Sequence, residues 1–379
     1  MENIKEPQQP IRVLCVFGSL DRGGAETMCM NLYRHIDRNK IQFDFVKHID
    51  KKCSYEDEII SLGGKVYCAP RFKGWNLFPY LAWWHKHFKQ HPEHQIVHGH
   101  YFSISGLYFM VAKRFGRITV AHSHHTVMLP QHPFIEKLFI FLCNRYADQR
   151  LACSNAAGQF LFGDKQFTVL KNAIEVDRFA FDPVRRKAAR SEFGFSDEFV
   201  IGIIGRMEQI KNPFGAIKIF QEVHHKNPNA RLLWIGDGPL HSEIERSIRE
   251  YRLENAVFLT GVREDVDALY QAMDLFLFPS FHEGLGIVAI EAQAAGLPCF
   301  CSETIPHEVA VTDLCVFLPL NCPCRWADEI ITYQGFLREN TSPKLIRDGY
   351  DIRVTVIWLE EYYCSLTKNK DYYSPSKHK

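Results

Sequence analysis

Residues 274–295, Asp-Leu-Phe-Leu-Phe-Pro-Ser-Phe-His-Glu-Gly-Leu-Gly-Ile-Val-Ala-Ile-Glu-Ala-Gln-Ala-Ala, change character twice. Asp274–Phe278 reads as a short buried strand, Phe281–Gly286 as a loop, and Ile287–Ala295 as an apolar helix entered through the Gly284-x-Gly286 turn. A strand, a glycine loop and a helix in succession form the repeating unit of a parallel sheet, whose ligands gather at the carboxyl ends of the strands. The loop carries Glu283 and the helix carries Glu291. Eight helical residues span about 12 Å, so the two acids suit opposite ends of one elongated polar ligand better than a shared proton. An acid in an Ile/Val/Ala-rich helix either lies on its wet face or is costly to bury without partners.

The same alternation extends in both directions. In the first half, strands are expected at Ile11–Phe17, Gln42–Val46, Lys65–Cys68, Gln95–His98, Ile118–His122, Leu151–Ser154 and Phe167–Leu170, with helix-like stretches between most of them. After a polar stretch with Pro183 and Arg185-Arg-Lys187, a second series begins at Phe199–Ile204. It continues at Arg231–Ile235, Ala256–Thr260, Asp274–Phe278, Pro298–Cys301 and Cys315–Leu318. Asn212-Pro213 is an N-cap followed by Pro at the first helical position. Two Rossmann-like halves are therefore expected, an N-terminal domain over residues 1–180 and a C-terminal domain over 181–341. A closing helix at about 342–367 is expected to pack back on the first domain, and 368–379 to be a disordered tail.

At 379 residues the chain has room for two domains, and 46% apolar with 23% charged residues is ordinary for a globular protein. No window approaches the ~18 apolar residues of a membrane span, and the polar first ten residues are not a secretory signal. The twelve cysteines contain no Cys-x-x-Cys pair, which suits a reduced, cytoplasmic protein. The net charge of +1 hides an asymmetry: residues 1–180 hold 23 basic against 16 acidic groups, and residues 181–379 hold 22 against 28. The basic half is expected to face an anionic small molecule or membrane surface, and a pI near 7.6 argues against nucleic acid.

Other segments carry possible chemistry. Gly18-Ser-Leu-Asp-Arg-Gly-Gly-Ala25 joins the first strand to a helix N-terminus, where Gly23 and Gly24 would let an anion approach the backbone, or form a plain turn. It matches neither Gly-x-Gly-x-x-Gly nor a Walker loop. Arg206 follows a buried strand and Lys211 precedes the Asn212-Pro213 helix start, an arrangement suited to a diphosphate or, taken without its neighbours, a solvated pair of surface charges. His122 ends a strand, with His124 and His125 just beyond it and His98-Gly-His100 at another strand end. No carboxylate or cysteine completes a zinc set there at usual spacing, so polar contacts or proton relay at a domain cleft are expected of the cluster, and a satisfied structural histidine of any one taken singly. Asp265-Val-Asp267 looks like a metal-binding Asp-x-Asp but opens a helix, where acids favour the N-terminus, and is read as structural. Arg71–His91 mixes aromatics with cations, as membrane-surface helices do and as helices packed on a sheet also do.

The combination of Gly205-Arg206…Lys211-Asn212, Gly236-Asp-Gly-Pro239, Gly261 and Glu283-x7-Glu291 resembles the retaining glycosyltransferases of family 4. The resemblance runs from about Ile11 to Tyr363. It is sharpest in the C-terminal half, and the N-terminal half is matched through the Gly-Gly loop, Ala121-His-Ser-His124 and Leu151-Ala-Cys-Ser154. It implies the GT-B fold, an α/β architecture of two Rossmann-like domains with parallel sheets facing across a cleft. The branch it is most similar to builds bacterial exopolysaccharide, capsule or lipopolysaccharide O-antigen.

The resemblance also implies roles: the domain over 1–180 would bind the acceptor and the domain over 181–341 the nucleotide sugar. Arg206 and Lys211 would hold the donor diphosphate, and Glu291 would bind the ribose. Glu283 with Gly284, Leu285 and Gly286 would contact the transferred sugar, Gly261 would border the donor, and Gly23 and Gly24 would close over the phosphates. His122 would sit near the reacting carbon. The implied enzyme is a metal-independent hexosyltransferase with no cofactor. It would move a hexose or hexosamine from a nucleotide sugar, a UDP-sugar in first place, to a polyprenyl-diphosphate-linked glycan, in the cytoplasm at the inner face of the plasma membrane. Ala173 stands where the family commonly has Gly, and Ile287 where many members carry an aromatic or other residue; neither removes a charged ligand. The alternatives are a non-hydrolysing nucleotide-sugar epimerase of the same fold and a non-catalytic nucleotide-sugar-binding protein.

Overall fold

A computed structural model describes residues 9–100, 104–126 and 133–368. Residues up to Ala173, with those from Ile352 onward, form one unit, and Ile174–Asp351 form the other. The first unit contains seven strands: β1 (Ile11–Val16), β2 (Ile41–Lys47), β3 (Val66–Cys68), β4 (His94–Gly99), β5 (Ile118–Ser123), β6 (Gln149–Ala152) and β7 (Thr168–Val169). They pair in parallel in the order β3-β2-β1-β4-β5-β6-β7. The second unit contains β8 (Phe199–Ile204), β9 (Ala230–Ile235), β10 (Val257–Leu259), β11 (Leu275–Phe278), β12 (Cys299–Ser302) and β13 (Cys315–Leu318), parallel in the order β10-β9-β8-β11-β12-β13. Every expected strand is present, with ends shifted by up to two residues.

The apolar runs are continuous because both faces of each sheet are covered by helices. In β1 the pleat sends Val13 and Cys15 to one side, where Met28, Tyr33, Phe43, Phe45 and Leu359 complete a core. Leu14 and Val16 go to the other side and join Tyr80, Trp84, Val97, Tyr108 and Ala121. Asp44 on β2 is buried beneath Arg12 of β1, which meets both of its oxygens at 2.6 and 2.7 Å, and His94 of β4, at 2.9 Å. Burial alone would raise the Asp44 carboxyl, but His94, Arg12 and the Lys65 N–H hold it down at about 2. One charge group thus ties three neighbouring strands in register.

The sequence expectations fail in two places. The closing helix is two helices, Ser342–Arg347 and Ile352–Lys368, separated at 348–351 by Gly349 at φ +77° and by Asp351, which bridges to Ile174. The first of the two belongs to the second unit. The chain therefore crosses between units at 173/174 and 351/352, not after 180 and 341, because Gln271 fastens the connecting segment to the second unit. Its side-chain N–H groups donate to the Phe179 and Ala180 carbonyls, and its oxygen accepts from the Asp182 N–H. The helix Ile352–Lys368 packs on the helix Gly24–His35, and Glu360 accepts from the Asp37 N–H. This helix is described as far as Lys368, and the expected tail at 368–379 otherwise lies outside the described residues.

Candidate functional site

In both sheets the strand order reverses beside the first strand of the unit, between β1 and β4 and between β8 and β11. Such a reversal opens a crevice at the carboxyl ends of the two strands. In the second unit the residues that follow β8 and β11 are Gly205–Lys211 and Pro279–Glu283. Gly205, Arg206, Lys211, Trp234, Phe278 and Ser280 line a small pocket at that point.

Local structure explains how these groups come together. Asn212 adopts the left-handed conformation at φ +53° and caps the helix Pro213–Lys226 by accepting from the Gly215 N–H at 3.2 Å. Its amide donates to the Pro279 carbonyl at 3.1 Å, and the Phe281 N–H donates to the Ile210 carbonyl at 2.9 Å. The two loops are therefore stitched to each other. Thr304 holds the second loop from behind through its hydroxyl to the Phe281 carbonyl, at 2.7 Å. Lys211 Nζ then meets both Glu283 oxygens, at 2.7 and 2.9 Å. Arg206 is exposed at the end of β8 and has no ion-pair partner among the described residues.

Gly286 enters the helix Ile287–Ala294 at φ +96°, and a Cβ there would press on the Phe278 ring at 2.7 Å. Only glycine fits this turn. Leu285 is buried, Gly284 half-buried, and Gly261 sits at φ +69° with its carbonyl accepting from the Gly236 N–H. Glu291 is buried, not on a wet face. The Tyr270 hydroxyl lies 2.9 Å from Glu291 Oε2 and 2.8 Å from the Val288 carbonyl. Burial pushes the Glu291 carboxyl up to about 7, against the opposing pull of Tyr270 and Arg178. Tyr270 comes from the preceding helix, Val266–Ala272. No local sequence signal marks it, because its partner is reached only by tertiary packing.

Asp265 and Asp267 are both taken by arginines: Asp265 by Arg263 at 2.6 and 2.8 Å, and Asp267 by Arg178 and Arg185 at 2.9 and 2.5 Å. They brace the helix start instead of presenting open carboxylates.

In the first unit Gly23 is the N-cap of the helix Gly24–His35 and offers no side-chain cap. The Glu26 carboxylate folds against it, in the place a Cβ would need. An incoming anion would have to displace that acid. His122, at the end of β5, is wholly buried among imidazoles, with ring centroids 4.1 Å from His124 and 5.3 Å from His98. His98 Nδ1 is 2.6 Å from the Tyr363 hydroxyl, and His100 Nδ1 is 2.9 Å from His124 Nε2. Neither ring nitrogen of His122 has a hydrogen-bond partner among the described residues. Burial and the neighbouring rings push His122, His124 and His100 well below the usual histidine range, and burial sets His98 at about 3. Two groups place potential metal-ligating atoms within 4.8 Å of one another, His98 with His100 and His122, and Cys15 with Cys29 and His100; both are buried and neither includes a carboxylate.

The structure thus gathers Arg206, Lys211, Glu283 and the Gly284–Gly286 turn at the carboxyl ends of the central strands β8 and β11, with Glu291 in the helix that follows the turn. Gly23, Gly24 and His122 lie in the other unit.

Two family models match the chain: one described as "Glycosyl transferases group 1" over residues 185–314, and one described as "Glycosyltransferase Family 4" over residues 22–178. EpsF of Bacillus subtilis (strain 168), a protein named as a glycosyltransferase, is 32% identical over 380 residues, covering 95% of this chain and 98% of that one. The UDP-Gal:alpha-D-GlcNAc-diphosphoundecaprenol alpha-1,3-galactosyltransferase of Escherichia coli is 25% identical over 222 residues, 54% of this chain and 56% of that one. Among solved structures, Anabaena Alr3699/HepE in complex with UDP-glucose superposes with a TM-score of 0.78 at 20% identity, covering 93% of this chain and 99% of that one. At that identity the superposition shows a shared GT-B architecture.

Proposed function

Because this chain belongs to glycosyltransferase family 4, we propose that it transfers a hexose or hexosamine from a UDP-sugar to a lipid-linked, growing surface glycan, with retention of the anomeric configuration. The observation that carries this reading is the placement of Arg206, Lys211 and Glu283 at the reversal point between β8 and β11. The family makes the chain a glycosyltransferase that uses a nucleotide sugar. The choice of uridine follows the solved neighbour bound to UDP-glucose, and a diphosphate-lipid acceptor follows the name of the E. coli relative.

In this reading Arg206, free of a protein anion, meets the diphosphate first. Lys211 has three N–H donors, two of them directed at Glu283, so the third reaches the diphosphate while the carboxylate stays in place to accept from a sugar hydroxyl. Glu291 accepts from the ribose hydroxyls. As the bond from the anomeric carbon to the diphosphate oxygen breaks, charge grows on that oxygen, where the two cations are already placed. The acceptor hydroxyl adds to the same face of the sugar, and its proton passes to the departing diphosphate. Arg206, Lys211 and backbone N–H groups take the charge that a divalent metal would otherwise hold.

Incubation with UDP-sugars, with and without a polyprenyl-diphosphate glycan, tests the reading. Release of UDP that depends on the acceptor, and a product of unchanged anomeric configuration by NMR, is the expected result. Interconversion of the donor without acceptor would assign an epimerase, and binding without turnover a non-catalytic protein.

A further inference from the structure

The helix Pro133–Tyr146 is apolar on nearly every side, and one of those sides faces water. Phe134, Leu138 and Phe141, spaced as one helical stripe, are 84%, 53% and 62% exposed. Its inner side packs on the unit through Phe139, Leu142 and Cys143. Phe139 also meets Phe72 edge-on at 5.7 Å, which ties to this helix the loop that exposes Trp75 and leads into the helix Leu77–Gln90, whose first turn exposes Phe78. An exposed apolar surface of this kind in a soluble unit marks a binding face.

Charge identifies what binds. Residues 59–147 contain ten basic groups and only two acids, Glu93 and Glu136, and Glu136 is buried. Arg71, Lys73, Lys86, Lys137 and Arg145 are all exposed. Arg145 extends the apolar stripe by one further turn, as a cation at the headgroup level would. A second copy of this chain seated on the same face would bring these cations against one another, which disfavours self-association. The sequence places the membrane-like pattern in Arg71–His91, but Tyr80, Trp84 and Phe88 of that stretch are buried in the core. The exposed apolar surface is made by Trp75 and Phe78, at the start of that stretch, and by the helix Pro133–Tyr146.

We propose that the Phe134/Leu138/Phe141 face, with Trp75 and Phe78, docks this protein on an anionic lipid bilayer. The apolar side chains enter the boundary between headgroups and acyl chains, and the surrounding cations meet lipid phosphates. The inference rests on this surface alone and does not depend on the donor chemistry.

The test is co-flotation of the full chain with vesicles of phosphatidylcholine alone and of phosphatidylcholine mixed with phosphatidylglycerol, at low and high salt. Wild type should float with the mixed vesicles, and less so as salt rises. The double variant Leu138→Glu, Phe141→Glu should lose at least about tenfold in partitioning, with UDP binding and thermal midpoint unchanged, because both side chains already face water. Lys137→Glu with Arg145→Glu should lose binding and its salt dependence together. Wild type that stays with neither vesicle at low salt overturns the proposal, as does full binding by the Leu138/Phe141 variant. A wild-type dimer that the same variant dissociates would assign the face to a second copy and overturn it equally. Vesicle binding in a protein that fails to turn over UDP-sugars would leave this inference standing and sink the functional reading.

Discussion

Lys211 Nζ holds both oxygens of Glu283, at 2.7 and 2.9 Å, although the two residues are 72 positions apart and leave different strands. The pair is part-buried, so its attraction is less screened than that of a surface pair. In the proposed mechanism Lys211 serves the diphosphate and Glu283 the sugar, so the two substitutions should separate. Glu283→Gln should leave UDP affinity within about threefold of wild type, since a cation is released, yet lower kcat by about a hundredfold or more. Lys211→Met should weaken UDP about tenfold, as loss of one charge-assisted hydrogen bond does, and leave a carboxylate facing the phosphates. Calorimetry with UDP beside steady-state kinetics reads both. Equal losses of UDP affinity would show that the two ends of the ligand were misplaced.

His122 should act without titrating. Its burial among His98, His100 and His124 keeps it neutral, so a proton-relay role at neutral pH has no support from its environment. His122→Ala should lower kcat while UDP affinity stays near wild type, because the proposed donor contacts lie in the other unit. Imidazole nitrogen NMR should find His122 still neutral at pH 6.5, where an ordinary histidine is half-protonated. A protonated ring at that pH, or lost UDP affinity with kcat intact, would rule out a neutral His122 beside the reacting carbon.

The strands were legible because each is a short apolar run ended by glycine or polar residues, and the site motifs were legible because they stand at strand ends. Asn212-Pro213 announced its helix start, and the structure shows that cap also fastening two loops. Tyr270 was not legible, since its contact with Glu291 depends on how two helices pack. Nor was the exposed side of the helix Pro133–Tyr146: a sequence apolar all round gives no period from which to choose a face. Arg71–His91 reads both ways, and the structure divides it: Tyr80, Trp84 and Phe88 pack in the core, while Trp75 and Phe78 reach water with its cations. The split at 348–351 hides in a helical pattern that Gly349 interrupts only once.

Donor turnover should survive chelation. Asp265 and Asp267 are committed to arginines, and the proposed charge stabilisation comes from Arg206 and Lys211. Excess EDTA should leave the UDP-release rate within about twofold, whereas Arg206→Ala should cost about a hundredfold or more. An enzyme that stops in chelator and recovers with magnesium or manganese would move the leaving-group chemistry to a metal.

The last prediction concerns the proton between Tyr270 and Glu291. The phenol has one hydrogen, yet its oxygen lies 2.8 Å from the Val288 carbonyl and 2.9 Å from Glu291 Oε2. With that hydrogen on Val288, the second bond needs a protonated Glu291 as donor; with Glu291 ionised, the phenol must turn to the carboxylate. Burial favours the protonated acid, Tyr270 and Arg178 the ionised one, Asp267 opposes them, and the balance falls at about 7. Between the ordinary glutamate value of 4.5 and that balance, the folded protein binds more protons than the unfolded chain, so stability falls as pH rises through this window. Glu291→Gln removes the fall: it should match wild type near pH 5 and exceed it near pH 8 by up to about 3 kcal/mol. The same variant should weaken uridine and UDP about ten- to a hundredfold at pH 8, because the ionised carboxylate accepts from two ribose hydroxyls. Wild-type affinity for uridine, which has no phosphate to titrate, should rise through about pH 7. Tyr270→Phe should move that midpoint upward by removing the donor that stabilises the charge. Flat wild-type uridine binding across this range, or a Gln variant no more stable than wild type at pH 8, would show that Glu291 is ionised in the free protein, with the Tyr270 hydrogen on its carboxylate and not on Val288.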